Sequence, residues 1–266
     1  MPRTRAAKRA KYTKKDEDLV TDSEKPNVEA DSARIQGQLT RRETEHAILS
    51  QQAYGRDDTT LKNLGFKYQP QFSNVDLSTF YNKRSNRVVA AFRGSQSKRD
   101  WAQVDTKLAL EGEKLPEDAR FVAHAKLLQQ IADKYGLANI ETTGHSLGGT
   151  EAAYFALLHG LKGNAFNPGS TPDAMLGYLM NHAAEGAAQD TGRSVEDIKQ
   201  NVNIHHIRGD PVSAFAATYS GLPRYDFDRA GGIPYTLGHS LKNFEQYYEE
   251  HTVDRSHGVT SSDNED

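Results

Sequence analysis

The sequence predicts an α/β fold: a mostly parallel central sheet with helices on both faces. Three observations predict it. Stretches of strand character alternate with stretches of helical period through the middle of the chain. One of them, Val88-Val89-Ala90-Ala91-Phe92, is almost continuously apolar and bounded by turn residues, which suits a strand buried on both faces. The tight run Gly144-His145-Ser146-Leu147-Gly148 then joins a short strand to a helix rich in small residues.

Taken in order, residues 41–54 read as a helix with Ala47, Ile48 and Tyr54 on its apolar side. Residues 66–69 and 75–81 are candidate strands, and a turn over 82–87 leads into the apolar run. Residues 121–135 carry Val122, Leu127, Leu128 and Ile131 at roughly helical spacing, with Gly136 as the stop. A short strand spans 139–143, a helix 148–159 closed by Gly160, and another strand 163–166. Helices follow at 172–187 and 194–200, a strand at 202–207, and a last helix at 240–250.

The chain has 266 residues, enough to close one large core, and a mean hydropathy of -0.76 that reflects its polar ends. Arg3, Arg5, Lys8, Arg9, Lys11, Lys14 and Lys15 precede any acid, and Asp16, Glu17, Asp18, Asp22, Glu24, Glu29 and Asp31 follow. So polar a stretch cannot bury enough apolar surface to offset its ordering entropy. Residues 1–36 are therefore expected to be a disordered tail and 251–266 a second one, leaving a single domain over 37–250. The basic cluster is compatible with a solvated tail, a nuclear-import signal, an acidic-lipid contact or a nucleic-acid arm. A net charge of -3 gives no overall bias toward nucleic acid or membrane. The absence of cysteine excludes disulfides, thiolate zinc sites and a cysteine nucleophile. With no signal-like or membrane-spanning apolar stretch, the expectation is a soluble, intracellular protein.

Gly-x-Ser-x-Gly alone is a weak signal, arising by chance in roughly one chain in ten of this length. Its strand-to-helix context is what gives it weight. A serine on such a turn projects above the carboxyl edge of the sheet, and bulky neighbours at Gly144 and Gly148 would clash. A serine nucleophile needs a histidine held by a carboxylate. On helices or within a strand lie His159, His182, His205 and His206, whereas His239 sits in a loop before the last helix. His251 is a further candidate, and His257 lies in the polar tail. Asp210 follows the strand 202–207 directly, on the same rim as Ser146; Asp226 and Asp228 compete from a polar connection with no strand directly before them. The expected oxyanion donors are the N–H of Leu147 and one from Arg93-Gly94-Ser95, where the Ser95 hydroxyl adds a side-chain donor.

The segments Val88–Phe92 with Arg93-Gly94-Ser95 and Asp100-Trp101, Thr143-Gly144-His145-Ser146-Leu147-Gly148-Gly149, Gly209-Asp210-Pro211-Val212 and His239-Ser240-Leu241 together resemble the class 3 lipase family of α/β-hydrolases. The resemblance covers about residues 40–250. It implies a lipase or esterase with Ser146 as nucleophile, Asp210 as orienting acid, His239 as general base, and Ser95 and Leu147 as oxyanion hole. It also implies a lid after the Ser95 loop; here residues 100–120 are mostly polar, with Trp101, Leu108, Leu110 and Leu115 the main apolar members. The chain departs from the family at His124-Ala125-Lys126, where His-x-Gly is common, and at Phe166-Asn167-Pro168-Gly169, where Gly-x-Pro-Arg is common. Both departures bear on substrate identity rather than on the triad. The implied substrate is a lipid or lipid-like ester, met in solution or at a membrane or droplet surface, and no cofactor or metal is called for. A phospholipase A1-like or small-ester esterase is the alternative within the same chemistry. A catalytically silent binding or structural protein on the same fold is the alternative from another class.

Overall fold

The computed structural model describes residues 38–95, 118–169, 174–213, 219, 221–231 and 239–248. The expected tails and most of the expected lid lie outside the described residues. The first elements are α1 (Arg41–Gln52), α2 (Asp58–Leu64), β1 (Lys67–Tyr68), β2 (Leu77–Asn82) and β3 (Arg87–Phe92). Next come α3 (Ala119–Tyr135), β4 (Ile140–His145), α4 (Leu147–His159) and β5 (Lys162–Phe166). The chain continues through α5 (Ala174–Thr191), α6 (Val195–Lys199), β6 (Val202–Ile207), β7 (Arg224–Phe227) and a 3₁₀ helix, Leu241–Tyr247.

The seven strands form one sheet in sequence order, antiparallel from β1 to β3 and parallel from β3 to β7. Right-handed crossovers that keep moving in one direction place all their helices on one face. Accordingly Val88, Ala90 and Phe92 of β3 face a core with Phe121, Leu128 and Ile131 of α3 and Phe155 of α4. Their neighbours Val89 and Ala91 point the other way, to Leu49 of α1, Leu61 of α2 and Phe66. Among the described residues that second face carries no crossover helix and is closed by α1, α2 and the 3₁₀ helix, whose Phe244 packs with Phe166 and Phe227.

α1 is also fastened by charge. Glu141 on β4 is buried among Arg42 and His46 of α1 and Arg87 of β3, all within hydrogen-bond reach. Burial alone would raise its carboxyl, but the bonds from His46, Arg42 and Arg87 hold it below the usual carboxylate range.

Several expectations need correction in detail. The last helix is a 3₁₀ helix that ends at Tyr247 rather than at 250, and β4 continues through Gly144 and His145. Two elements carried no readable period. α2 has Leu61 as its single buried residue and is set by the Asp57 cap and by Gly65 at φ 78°. β7, read as a polar connection, pairs in parallel with β6, and its exposed Asp226 also bonds across to His206.

Candidate active site

β4 runs parallel to β3 and β5, so its carboxyl end opens at a rim shared by all three. Ser146 stands there between β4 and α4, at φ 60° and ψ -131°, one of few non-glycine residues with positive φ. Such a backbone costs an L-residue on the order of 1–3 kcal/mol and persists only where the surroundings impose it. They do so here. A Cβ on Gly144 would lie 2.1 Å from the Gly148 carbonyl oxygen, and one on Gly148 would lie 2.1 Å from that of Phe92. The Ser146 N–H donates to the Phe166 carbonyl, and the Ser146 carbonyl accepts from Gly149, Thr150 and Gly169.

Asp210 lies just past β6, buried, with its N–H tied back to Ile207. Its carboxylate accepts from the Val212 N–H at 3.1 Å, the Ser213 hydroxyl at 2.8 Å and His239 Nδ1 at 2.7 Å. Burial by itself would raise the Asp210 carboxyl, yet these bonds, His239's foremost, lower it. An anionic carboxylate can only accept, so the hydrogen between Asp210 and His239 sits on Nδ1. Nε2 is buried and makes no hydrogen bond among the described residues. The His239 ring lies 4.7 Å, centroid to centroid, from that of His145, the neighbour of Ser146.

The Arg93-Gly94-Ser95 loop closes the third side. A Cβ on Gly94 would lie 2.8 Å from Ser146 Cβ and 2.7 Å from the His145 carbonyl oxygen, so only glycine lets the loop come this close. Ser95 is half-buried at the loop's end, and Leu147 begins α4, where a helix leaves its first N–H groups free of intrahelical partners. Beneath the loop, the Arg120 guanidinium of α3 donates to the Arg93 carbonyl and pairs with buried Glu151 of α4. His124, at the site of the His-x-Gly departure, also reaches Glu151, at 3.1 Å. The other departure, Asn167-Pro168-Gly169, packs on the elbow: Pro168 lies 3.1 Å from where a Gly149 Cβ would be.

Gly94 lies against Ser146 at the carboxyl ends of β3 and β4, Ser95 and Leu147 are their chain neighbours, and the Asp210–His239 pair follows the carboxyl end of β6. The competing residues lie elsewhere. Asp226 bonds to His206 and Arg224, Asp228 to Arg208, and His205 stacks on Phe166. His159 packs along α4 against Phe155, and His182 pairs with Glu185 at the surface. His251, His257, Asp100 and Trp101 fall outside the described residues.

Two participants escaped the sequence. Tyr54, read as the last apolar residue of a helix over 41–54, lies instead in the turn just past the end of α1 at Gln52, and reaches Gly94 and His145 through its hydroxyl. His145, visible as the residue before the serine, is tied to the His239 carbonyl. Among the described residues, no group of acidic and histidine side chains is arranged to hold a metal, and no helix is long and apolar enough to cross a membrane.

In a comparison with known families, residues 45–223 fit the model of a phospholipase-like family described as the Tle-like phospholipase domain. A comparison with curated proteins finds no match. The matched stretch includes Ser95, Ser146 and Asp210 and ends before His239.

Proposed function

The chain belongs to the Tle-like phospholipase domain family and is a lipase- or phospholipase-type hydrolase, and from that premise we propose that it cleaves carboxylic esters of lipids through Ser146, His239 and Asp210. The observation that carries this reading is the pairing of a serine held at φ 60° on a strand-to-helix elbow with a histidine whose Nδ1 lies 2.7 Å from a buried aspartate on the same rim.

The chemistry follows from the proton positions. His239 Nε2 takes the Ser146 proton as Oγ adds to the ester carbonyl, and anionic Asp210 stabilises the imidazolium that results. The Oγ–Nε2 hydrogen bond forms as substrate is engaged, since such bonds often tighten only in the complex. The oxyanion accepts from the N–H groups of Leu147 and Ser95, each donor being worth on the order of 10²–10³ in turnover. The alcohol leaves with the proton from His239. Water, deprotonated by the same nitrogen, then releases the acid from Ser146.

Family membership favours a phospholipid over a triacylglycerol, which ranks the phospholipase reading above that of the class 3 lipases. Labelling with a fluorophosphonate probe tests the nucleophile: the wild type is expected to label and Ser146→Ala to remain unlabelled. A folded wild type that fails to label would overturn the serine mechanism. Acid release from phospholipid vesicles, triacylglycerol emulsions and short p-nitrophenyl esters then ranks the substrates, with phospholipid expected first.

A further inference from the structure

The Tyr54 hydroxyl touches two parts of the rim that belong to different loops. It lies 2.9 Å from the Gly94 nitrogen in the oxyanion loop and 2.9 Å from His145 Nδ1 beside the nucleophile. On the far side of the imidazole, His145 Nε2 is 2.6 Å from the His239 carbonyl oxygen.

The donors along this chain can be assigned from valence alone. A carbonyl only accepts, so His145 Nε2 carries a hydrogen. A neutral imidazole has one such hydrogen, so Nδ1 accepts. Burial, with the His239 charge second, pushes His145 down to about 3, which keeps it neutral at physiological pH. The Gly94 N–H donates to the phenol oxygen, and the single phenol hydrogen goes to His145 Nδ1 rather than to the His145 carbonyl, which is more distant at 3.4 Å. Every donor has one acceptor: Gly94 N–H to Tyr54, Tyr54 O–H to His145, His145 Nε2–H to the His239 carbonyl.

We propose that Tyr54 is a positioning residue that, through His145, holds the oxyanion loop and the general-base loop in register with Ser146. The reading rests on the serine mechanism proposed above and adds to it. At the loop, Tyr54 takes the N–H of the peptide unit whose carbonyl, that of Arg93, is taken by Arg120. A peptide plane gripped at both edges is restrained from rotating, and this plane directly precedes the one that carries the Ser95 N–H, so the grip anchors the loop from which that N–H is presented. At the base, the grip on the His239 carbonyl sets the backbone from which its imidazole reaches Asp210. A displacement of about 1 Å at such a site costs roughly a hundredfold in rate, so loss of one hydroxyl has a kinetic consequence out of proportion to its size.

The test uses Tyr54→Phe, which keeps the ring packing and removes the relay, and His145→Gln, which reads the same link from its other end, with a soluble p-nitrophenyl ester. Each variant is expected to lose roughly ten- to a hundredfold in kcat with KM within about twofold. The double variant is expected to be no slower than the slower single one, because both cut one chain. Fluorophosphonate labelling of wild type and Ser146→Ala runs alongside. If the wild type fails to label, the serine mechanism falls and this inference with it. If the wild type labels and Tyr54→Phe turns over within twofold of it, or the two losses multiply in full, the inference alone is overturned. Should Tyr54→Phe fold poorly, His145→Gln decides by the same split between kcat and KM.

Discussion

At the scale of single residues, the rim is built from side chains whose partners define their protonation. Asp210 is buried with bonds from Val212, Ser213 and His239, which under the proposed mechanism suits it to orient His239 rather than to take a proton. Asp210→Asn is expected to fold normally and to lower kcat by up to about 10⁴, because an amide at this position favours the wrong histidine tautomer; steady-state kinetics on a short ester would show it. Ser146 carries the opposite signature, a strained backbone that the proposed mechanism explains by the use of its side chain. Ser146→Gly removes the penalty at φ 60° and is expected to match or exceed the wild type in urea stability, by up to about 1 kcal/mol, while losing activity. A clear loss of stability in that variant would show that the elbow is unstrained.

At the scale of elements, the elbow is held by what packs around it. α4 lies against β3 and β4 because Gly148, Gly149, Ala152 and Ala153 present almost no side chain to the sheet. α3 is joined to α4 by Arg120 and Glu151, and to the loop after β3 through the Arg93 carbonyl. Arg120 also meets Asp76, which binds Arg93 in turn, so one carboxylate ties the start of α3 to the end of β3. Removing one partner of a buried pair strands the other charge. Arg120→Ala is therefore expected to destabilise the fold by about 3 kcal/mol, measured by urea unfolding, with His124 left as the remaining contact to Glu151. A change below about 1 kcal/mol would mean that the pair merely balances its own desolvation.

At the scale of the whole molecule, buried histidines tie stability to pH. Burial lowers His46 and His206 and pushes His145 down to about 3, while the unfolded chain titrates its histidines near 6.5. Between those values the unfolded state binds protons that the folded state refuses, so stability rises with pH across this window. His145 contributes up to about 1.4 kcal/mol per pH unit there, and His46 and His206 act in the same direction. Asp210 and Glu141 act in the same direction at lower pH: their folded carboxyls lie below the ordinary range, so their contribution is full above about pH 4 and lost as pH falls further. Urea midpoints are expected to be flat above about pH 7 and to fall steadily toward pH 4.5. His145→Gln should make that slope shallower, and an unchanged slope would show that His145 does not contribute to it.

Much of the architecture was legible before any coordinates. The apolar run of β3, the period of α3 and the glycines around Ser146 each act through local rules of burial and turn geometry, and they fix strands, helices and elbow nearly to the residue. The positions of Ser146, Asp210 and His239 at element ends were legible for a related reason: each follows a strand or precedes a helix, and element ends are written locally. The short α2 and the polar β7 were not, because one buried leucine or one carboxylate facing a histidine has no period. Tyr54 was hidden more deeply. It is separated by 91 residues from His145 and by 40 from Gly94, and only the stacking of α1 across the sheet brings its hydroxyl to both. Sequence by itself determined which residues have the chemistry to act, since that depends on residue type and local geometry. The tertiary structure alone decided what holds them in register, since a hydrogen bond between distant segments is a property of the packed fold.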